Sequence, residues 1–283
     1  MATVKQIRRR IRSVQSTQQI TKAMEMVAAA KLRKAQARAE AAGPYARKME
    51  QALVNLSAAA RSLAHPLFEK REARRVLVHV VASDKGLCGA FNTNVFRRAE
   101  EHVHELGREN VVLVPVGKRA CAHFGRRGWD MSQAVPRLGD RVNLGLVRSL
   151  GRAAVELFTS GAVDRVDFVS TRFVTTATRR VEVISLIPIT PVGEEGGGSA
   201  YIFEPDAETI FRDLLPRYVD TRILSVLANT LAAEFAARML SMGNANQNAD
   251  EMISSLTLTA NKLRQAAITR ELSEIVGGTA ALE

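Results

Sequence analysis

The stretch TRILSVLANTLAAEFAARMLSM, residues 221–242, decides how this chain is built. Apolar residues recur in it at intervals of three and four: Leu224, Leu227, Leu231, Phe235, Met239 and Met242. The interval persists through Met252, Leu256, Leu263, Ile268, Leu272 and Ile275, with no proline after Pro216. A period of about 3.5–3.6 marks an amphipathic helix with a seam, not strands. One helix is therefore predicted from Glu208 to Leu282. At about 1.5 Å per residue it spans roughly 100 Å, longer than a globular domain of this size. Such a helix must protrude, and its apolar seam needs a partner helix.

The N-terminus supplies that partner. Thr3 and Gln6 fit a capping box, each side chain able to serve the other's backbone N–H. Val4, Ile7, Ile11, Val14, Ile20, Met24 and Val27 follow at helical spacing, and residues 28–42 are mostly Ala, Lys and Arg, strong helix formers. Gly43-Pro44 reads as the first break or kink. Beyond it Tyr45 to Leu63 is helical again. The two chain ends are thus expected to pair as a long antiparallel coiled coil, slim because its seam is rich in Ala and Met. Residues 1–65 and 206–283 would form this rod.

Residues 70–205 have a different texture and are expected to form a Rossmann-like α/β lobe. Arg75–Ser83 is a β-branched run, Asn92–Leu106 a helix capped by Asn92, Val111–Val116 a second strand and Lys118–Arg127 a second helix. Met131–Val135 reads as a short strand and Leu146–Ser160 as a helix. Val166–Val174 and Val181–Pro188 read as an edge pair of strands. Strands alternating with helices of about ten to fifteen residues indicate a sheet with crossovers. Gly193–Ser199 is a flexible loop, and Tyr201–Asp206 leads into the final helix.

Composition agrees with a rod plus one domain: 283 residues, 46% hydrophobic and only 5% aromatic. No apolar run reaches the length of about 18 residues that a membrane span needs, and the N-terminus lacks the apolar core of a secretory signal. Arg8, Arg9, Arg10 and Arg12, with no acid before Glu25, also describe a transit peptide, but the helical period runs unbroken through them. Cys88 and Cys121 make neither a disulfide framework nor a metal set, which suits a reducing compartment. The net charge of +11 is concentrated. Residues 1–48 hold twelve Lys and Arg against Glu25 and Glu40, whereas residues 208–283 hold seven basic and nine acidic side chains. That basic helix is either a solvated face or a surface for an acidic protein, a nucleic acid or an anionic membrane.

Chemistry-bearing motifs are sparse. SDKGLCGAFN, residues 83–92, follows the first strand and precedes a helix, where a phosphate cradle would sit. It carries neither of the glycine-rich phosphate fingerprints, so its spacing favours a tight turn. His65, His79, His102, His104 and His123 lack metal spacing, and no catalytic grouping emerges. No cofactor or metal is expected. Nucleic-acid stacking lacks the aromatics it would need on the Arg8–Arg12 helix. The alternative kept open is a nucleotide-binding α/β protein with a coiled-coil interaction arm.

ITKAMEMVAAAKLRKA (20–35), SDKGLCGAFN (83–92) and ITRELSEIVGGTA (268–280) resemble the most distinctive segments of the gamma subunit of F-type ATP synthases, and AARM (236–239) and NKLRQAA (261–267) fit the same pattern. The resemblance covers essentially the whole chain. Its short loop at 193–199 is similar to the bacterial form, without the paired cysteines of the chloroplast form. The resemblance implies a rotor shaft that couples proton flow through the membrane sector to ATP synthesis or hydrolysis, with no catalytic residues or cofactor of its own. Its coiled coil would turn inside a ring of alpha and beta subunits. Its lobe would lie near the epsilon subunit and the ring of c subunits, on the cytoplasmic face of a bacterial plasma membrane. By the same resemblance, Lys22 and Met24 face the beta subunits, whose acidic loop suits the basic helix. Arg264, Gln265, Thr269, Glu271 and Glu274 meet loops of the head. Tyr201 and Glu204 belong to the foot, with Phe203 where the family often has a second tyrosine. The uncharged end from Ile275 to Leu282 would turn in an apolar sleeve.

Overall fold

The computed structural model describes residues 3–59, 65–131, 133–190 and 207–280, with side chains omitted at 39–43, 45–47, 54–59, 207–208, 274 and 276–280. Its helices and strands run, in order, α1 Val4–Ala59, β1 Val76–Val81, α2 Phe91–Leu106, β2 Val111–Val116, α3 Lys118–Gly125, α4 Leu144–Thr159, β3 Arg165–Phe173, β4 Arg179–Ile187 and α5 Ala207–Ala280. Chain contacts divide these into two compact units, one of Ala29–Arg238 and one of Met1–Ala28 with Met239–Glu283.

In the first unit the four strands lie in the order β2-β1-β3-β4. Val76 stands opposite Val111 on one side and Arg165 on the other, both in parallel register, and β4 returns antiparallel to β3. Only β4 of the expected edge pair is an edge; β3 is interior, paired on both sides. Alternation along β1 sends Val76, Val78 and Val80 to one face. They pack there with Val111 and Leu113 against Val95, Ala99 and Val103 of α2 and Ala120 and Phe124 of α3. On the opposite face α4 packs against β3 and β4. It meets α5 at Gly151, where any larger residue would run into Asp220 and lie 3.6 Å from Ile223. Helices thus cover both faces of a mostly parallel sheet.

Several local expectations need correction. Helix α1 does not break at Gly43-Pro44 but continues to Ala59. Pro44 is exposed, and buried Met49 and Leu53 hold the following turns. Asn92 does not cap α2; the cap position is Ala90, with no side-chain bond. The side chain of Asn92 instead accepts from the Ser83 N–H at 3.1 Å and the Ser83 hydroxyl at 2.9 Å. The described residues of Met131–Val135 contribute a single bridge, Val135 to Val116. The 83–92 turn and α3 are set by Gly117 at φ +98°, where a Cβ would strike the Ala82 carbonyl. The most apolar window of α5, within Thr209–Ser273, has a mean hydropathy of 1.4, yet 67% of it is buried inside the protein.

The second unit is a two-helix seam. The capping box forms: the Gln6 N–H donates to Thr3 Oγ1 at 3.3 Å and the Thr3 N–H to Gln6 Oε1 at 2.9 Å. On α1 a row of buried or half-buried positions, Val4, Ile7, Ile11, Val14, Gln18, Thr21, Glu25 and Ala28, alternates three and four, with Met24 half-buried beside it. On α5 the row Met242, Asn246, Ala249, Ile253, Leu256, Ala260 and Leu263 keeps the same rhythm, with further half-buried positions only at its start, from Met239 to Ala245. Gln18 Nε2 donates to Asp250, and seven residues on, Glu25 faces Gly243. One heptad forward on α1 therefore matches one heptad back on α5, an antiparallel register. The seam keeps this repeat at the expense of polarity. After Val14 it runs through Gln18, Thr21 and Glu25, and the apolar Ile20 and Val27 fall outside it.

Candidate functional site

Two places bear on function: the turn at 83–92 and the outer faces of the two-helix seam. The turn lies where a doubly wound sheet reverses its strand order, the crevice in which such folds hold nucleotides. One side of the turn is packed from within, and on its other side a cleft of about 420 Å³ stays open, lined among others by Gly86, Asn92, Arg97, Arg119 and Arg127. Cys88 and Phe91 pack against Ala233 and Ala237 of α5, with Phe173 from the end of β3. Asp84 accepts three backbone N–H bonds, from Lys118 at 3.0 Å, Leu138 at 3.1 Å and Gly139 at 2.9 Å. The carbonyls of Lys85 and Gly86 accept from the Arg238 guanidinium at 3.2–3.3 Å. Arg238 also donates to Glu234 at 2.7 Å, and the two are only 8% and 5% exposed. Burial pushes the Glu234 carboxyl up, opposed by Arg238, and pushes the Cys88 thiol up as well, away from a reactive thiolate. Asp84 and the carbonyls of Lys85 and Gly86 are thus spent on the fold, and they clamp α5 to the turn.

Sequence reasoning found no His–Asp grouping, but the fold makes one across 65 residues. His102 Nε2 lies 2.9 Å from Asp167 Oδ2, and the Arg165 guanidinium donates to the same oxygen at 2.8 and 3.0 Å. Asp167 is buried between α2 and β3, and Arg165 neutralises it, so the group is an ionic staple between helix and sheet. Only the spacing of Arg165 and Asp167 on one strand face could have hinted at it.

Outside the seam, α1 and α5 expose large apolar side chains. Ile20, Met26 and Val27 are all more than half exposed, although each is large and apolar. Ile20, half-buried Met24 and Val27 stand at i, i+4 and i+7, an apolar stripe on the outer face of α1. Lys22 borders it, paired with Glu25 at 3.2 Å and still 53% exposed, which makes a surface pair worth less than about 1 kcal/mol. On α5, Met252, Ile268, Leu272 and Ile275 are each at least half exposed. They are not seam residues, contrary to their periodicity. Past Arg264 the heptad register leaves no described residue of α1 opposite α5, and there Ile268, Leu272 and Ile275 form an exposed stripe at i, i+4 and i+7. Arg264, Gln265, Thr269 and Glu271 are exposed on this same segment, Thr269 bonding back to the Gln265 carbonyl at 3.0 Å. The side chain of Glu274, and Tyr201, Phe203 and Glu204, lie outside the described residues, as do the Gly193–Ser199 loop and, except for exposed Ile275, the side chains of the expected apolar tip.

Comparison with known proteins gives the same picture over the full length. A sequence profile of the family described as ATP synthase matches residues 3–282. The ATP synthase gamma chain of Desulforamulus reducens is 44% identical, with all of both chains covered, and that of Heliobacterium modesticaldum is 43% identical, again over both whole chains. Among solved structures, a chain of the Euglena gracilis mitochondrial ATP synthase superposes with a TM-score of 0.68 at 18% identity, covering 99% of this chain and 94% of that one. A chain of the Tetrahymena thermophila mitochondrial ATP synthase central stalk and c-ring gives a TM-score of 0.61 at 23% identity, covering 80% and 99%. Matched by the family profile from residue 3 to 282 and by whole-length relatives at 43–44% identity, this chain belongs to the ATP synthase gamma chain family.

Proposed function

We propose that this chain is the central rotor shaft of an F-type ATP synthase, a subunit that carries no catalytic group and works by turning. The observation that carries this reading is the outward apolar stripe on α1. The seam of α1 is already occupied by α5, so Ile20, Met24 and Val27 are left for another surface. Apolar contacts are non-directional, so a helix bearing them can pass from one station of a ring to the next without breaking aligned bonds. Residues 1–65 and 206–283 would act as the rod and 70–205 as the lobe. Lys22 and Met24 would face beta subunits of the head, and Arg264, Gln265, Thr269, Glu271 and Glu274 would meet loops of alpha and beta further along. Tyr201 and Glu204 would face the epsilon subunit and the ring of c subunits, placing the lobe at the cytoplasmic face of a bacterial plasma membrane. The excess positive charge of residues 1–48 suits an acidic surface on the head.

The test is purification of the tagged chain in mild detergent with its companions identified by mass. Alpha, beta, epsilon and c subunits should accompany it. Recovery as a free chain from a source that makes the rest of the complex would refute the assignment.

A further inference from the structure

We propose that the loops 84–86 and 138–140 form a torsional collar that ties both long helices to the lobe at one level and carries torque between sheet and shaft. The inference rests on the rotor reading and adds a device to it. Its links form a continuous chain. Lys31 on α1 donates to Asp140 at 2.6 Å, which holds the Asp140 carboxyl below its ordinary range through that bond. Gly139, next to Asp140, donates its N–H to Asp84 at 2.9 Å. The carbonyls of the following two residues, Lys85 and Gly86, accept from Arg238 on α5. Lys31 also lies 5.7 Å from the centroid of the Phe235 ring on α5, closing the circuit across the two helices.

The arrangement has the features that resist twisting. Asp84 is bonded to three N–H groups from two separate segments, so it locks the loops to each other. Arg238 spends its donors on backbone carbonyls of the loop that leaves β1, and Glu234, one turn back on the same helix, fixes its direction. A buried ion pair is weak evidence for stability, because its desolvation offsets much of its attraction. Its planar, several-point geometry is what distinguishes it from apolar packing, which would let α5 rotate about its axis. Loops that served only to close the lobe would have no need of charged partners on both helices.

The test uses the assembled complex with its head held on a surface and a bead fixed to the lobe. Rotational fluctuations of the stalled bead report torsional stiffness, and vesicles report ATP hydrolysis and ATP-driven proton uptake. Glu234→Leu with Arg238→Met replaces the buried pair without leaving one charge alone. Lys31→Met cuts the other, more exposed arm separately. Each should lower stiffness by about twofold, as one of two parallel tethers is lost. The ratio of proton uptake to hydrolysis should fall under load, and Arg238→Lys should be intermediate. Unchanged stiffness and coupling in the Lys31→Met complex, or in the double variant, would overturn the collar. A wild-type bead that does not turn at all would overturn the rotor reading instead.

Discussion

The purified chain should lose stability in mild acid because of one buried histidine. His79 is 2% exposed in the middle of β1, stacked at 4.3 Å and 8° on Phe168, its register partner in β3. Its Nδ1 has no partner among the described residues. Burial lowers its pKa from 6.5 to about 4, opposed only by a bond to the Asp167 backbone. The unfolded chain therefore takes up a proton near pH 6.5 and the folded chain only near pH 4. Stability is complete above about 6.5, falls as pH drops through the window, and levels off below about 4. A difference of 2.5 pH units corresponds to about 3 kcal/mol at most, of which about 2 kcal/mol is already lost at pH 5. The assay is urea unfolding from pH 8 to pH 4.5 for the wild type and for His79→Leu, which keeps an apolar side chain on that face. Carboxylates titrate in both proteins, so the difference between the two curves isolates His79. The wild type should lose about 2 kcal/mol more than the variant between pH 8 and pH 5. Parallel curves would refute the reasoning.

Other expectations follow from the seam and its outer faces. Leu256→Ala and Leu263→Ala should each cost about 1–2 kcal/mol in unfolding of the complex, below the usual 2–5 because both sites are only half-buried; a loss near zero would put the seam on another face. Pro44→Ala should stabilise the chain by up to about 3 kcal/mol with unchanged helical circular dichroism, since the proline sits inside a continuous helix; a lower melting temperature would contradict that. Met24→Lys should leave assembly intact but reduce proton pumping more than ATP hydrolysis. The new cation would make a bond to the acidic head, worth about 1.5–3 kcal/mol, that must break at each step. Unchanged coupling at low salt, where the bond is strongest, would sink it. Leu272→Ser should change the stability of the free chain by less than about 0.5 kcal/mol, since the side chain is already exposed. The same change should weaken assembly with the head, and normal assembly would show that this stripe is not a contact.

Much of the fold was legible because it rests on local rules. The Thr3–Gln6 capping box, the β-branched strands and the helix of α5 each follow from residues within a few positions of one another. What failed was decided by distant partners. Ile20 and Val27 have the right spacing for a seam, but a strict heptad cannot include them together with Val14 and Ala28, and the fold keeps the heptad by burying Gln18 and Glu25. Ile268, Leu272 and Ile275 keep the period after the partner helix has begun, and periodicity cannot say where a partner ends. Asn92 looks like a cap because it opens a helical run, yet its side chain serves Ser83, nine residues away in sequence. The clamp of Arg238 on the 85–86 carbonyls spans some 150 residues. Its only trace in the sequence was the pairing of Glu234 and Arg238 one turn apart on an otherwise apolar stretch.

The central claim is that this chain turns as a shaft within a stationary head. The most direct measurement anchors the head of the assembled complex, fixes a visible probe to an exposed residue of the lobe such as Arg74, and adds ATP. The account predicts unidirectional rotation of the probe, in steps that follow the symmetry of the ring, that stops when ATP is exhausted. Continued hydrolysis with a probe that stays still, in a complex shown to contain this chain, would contradict it.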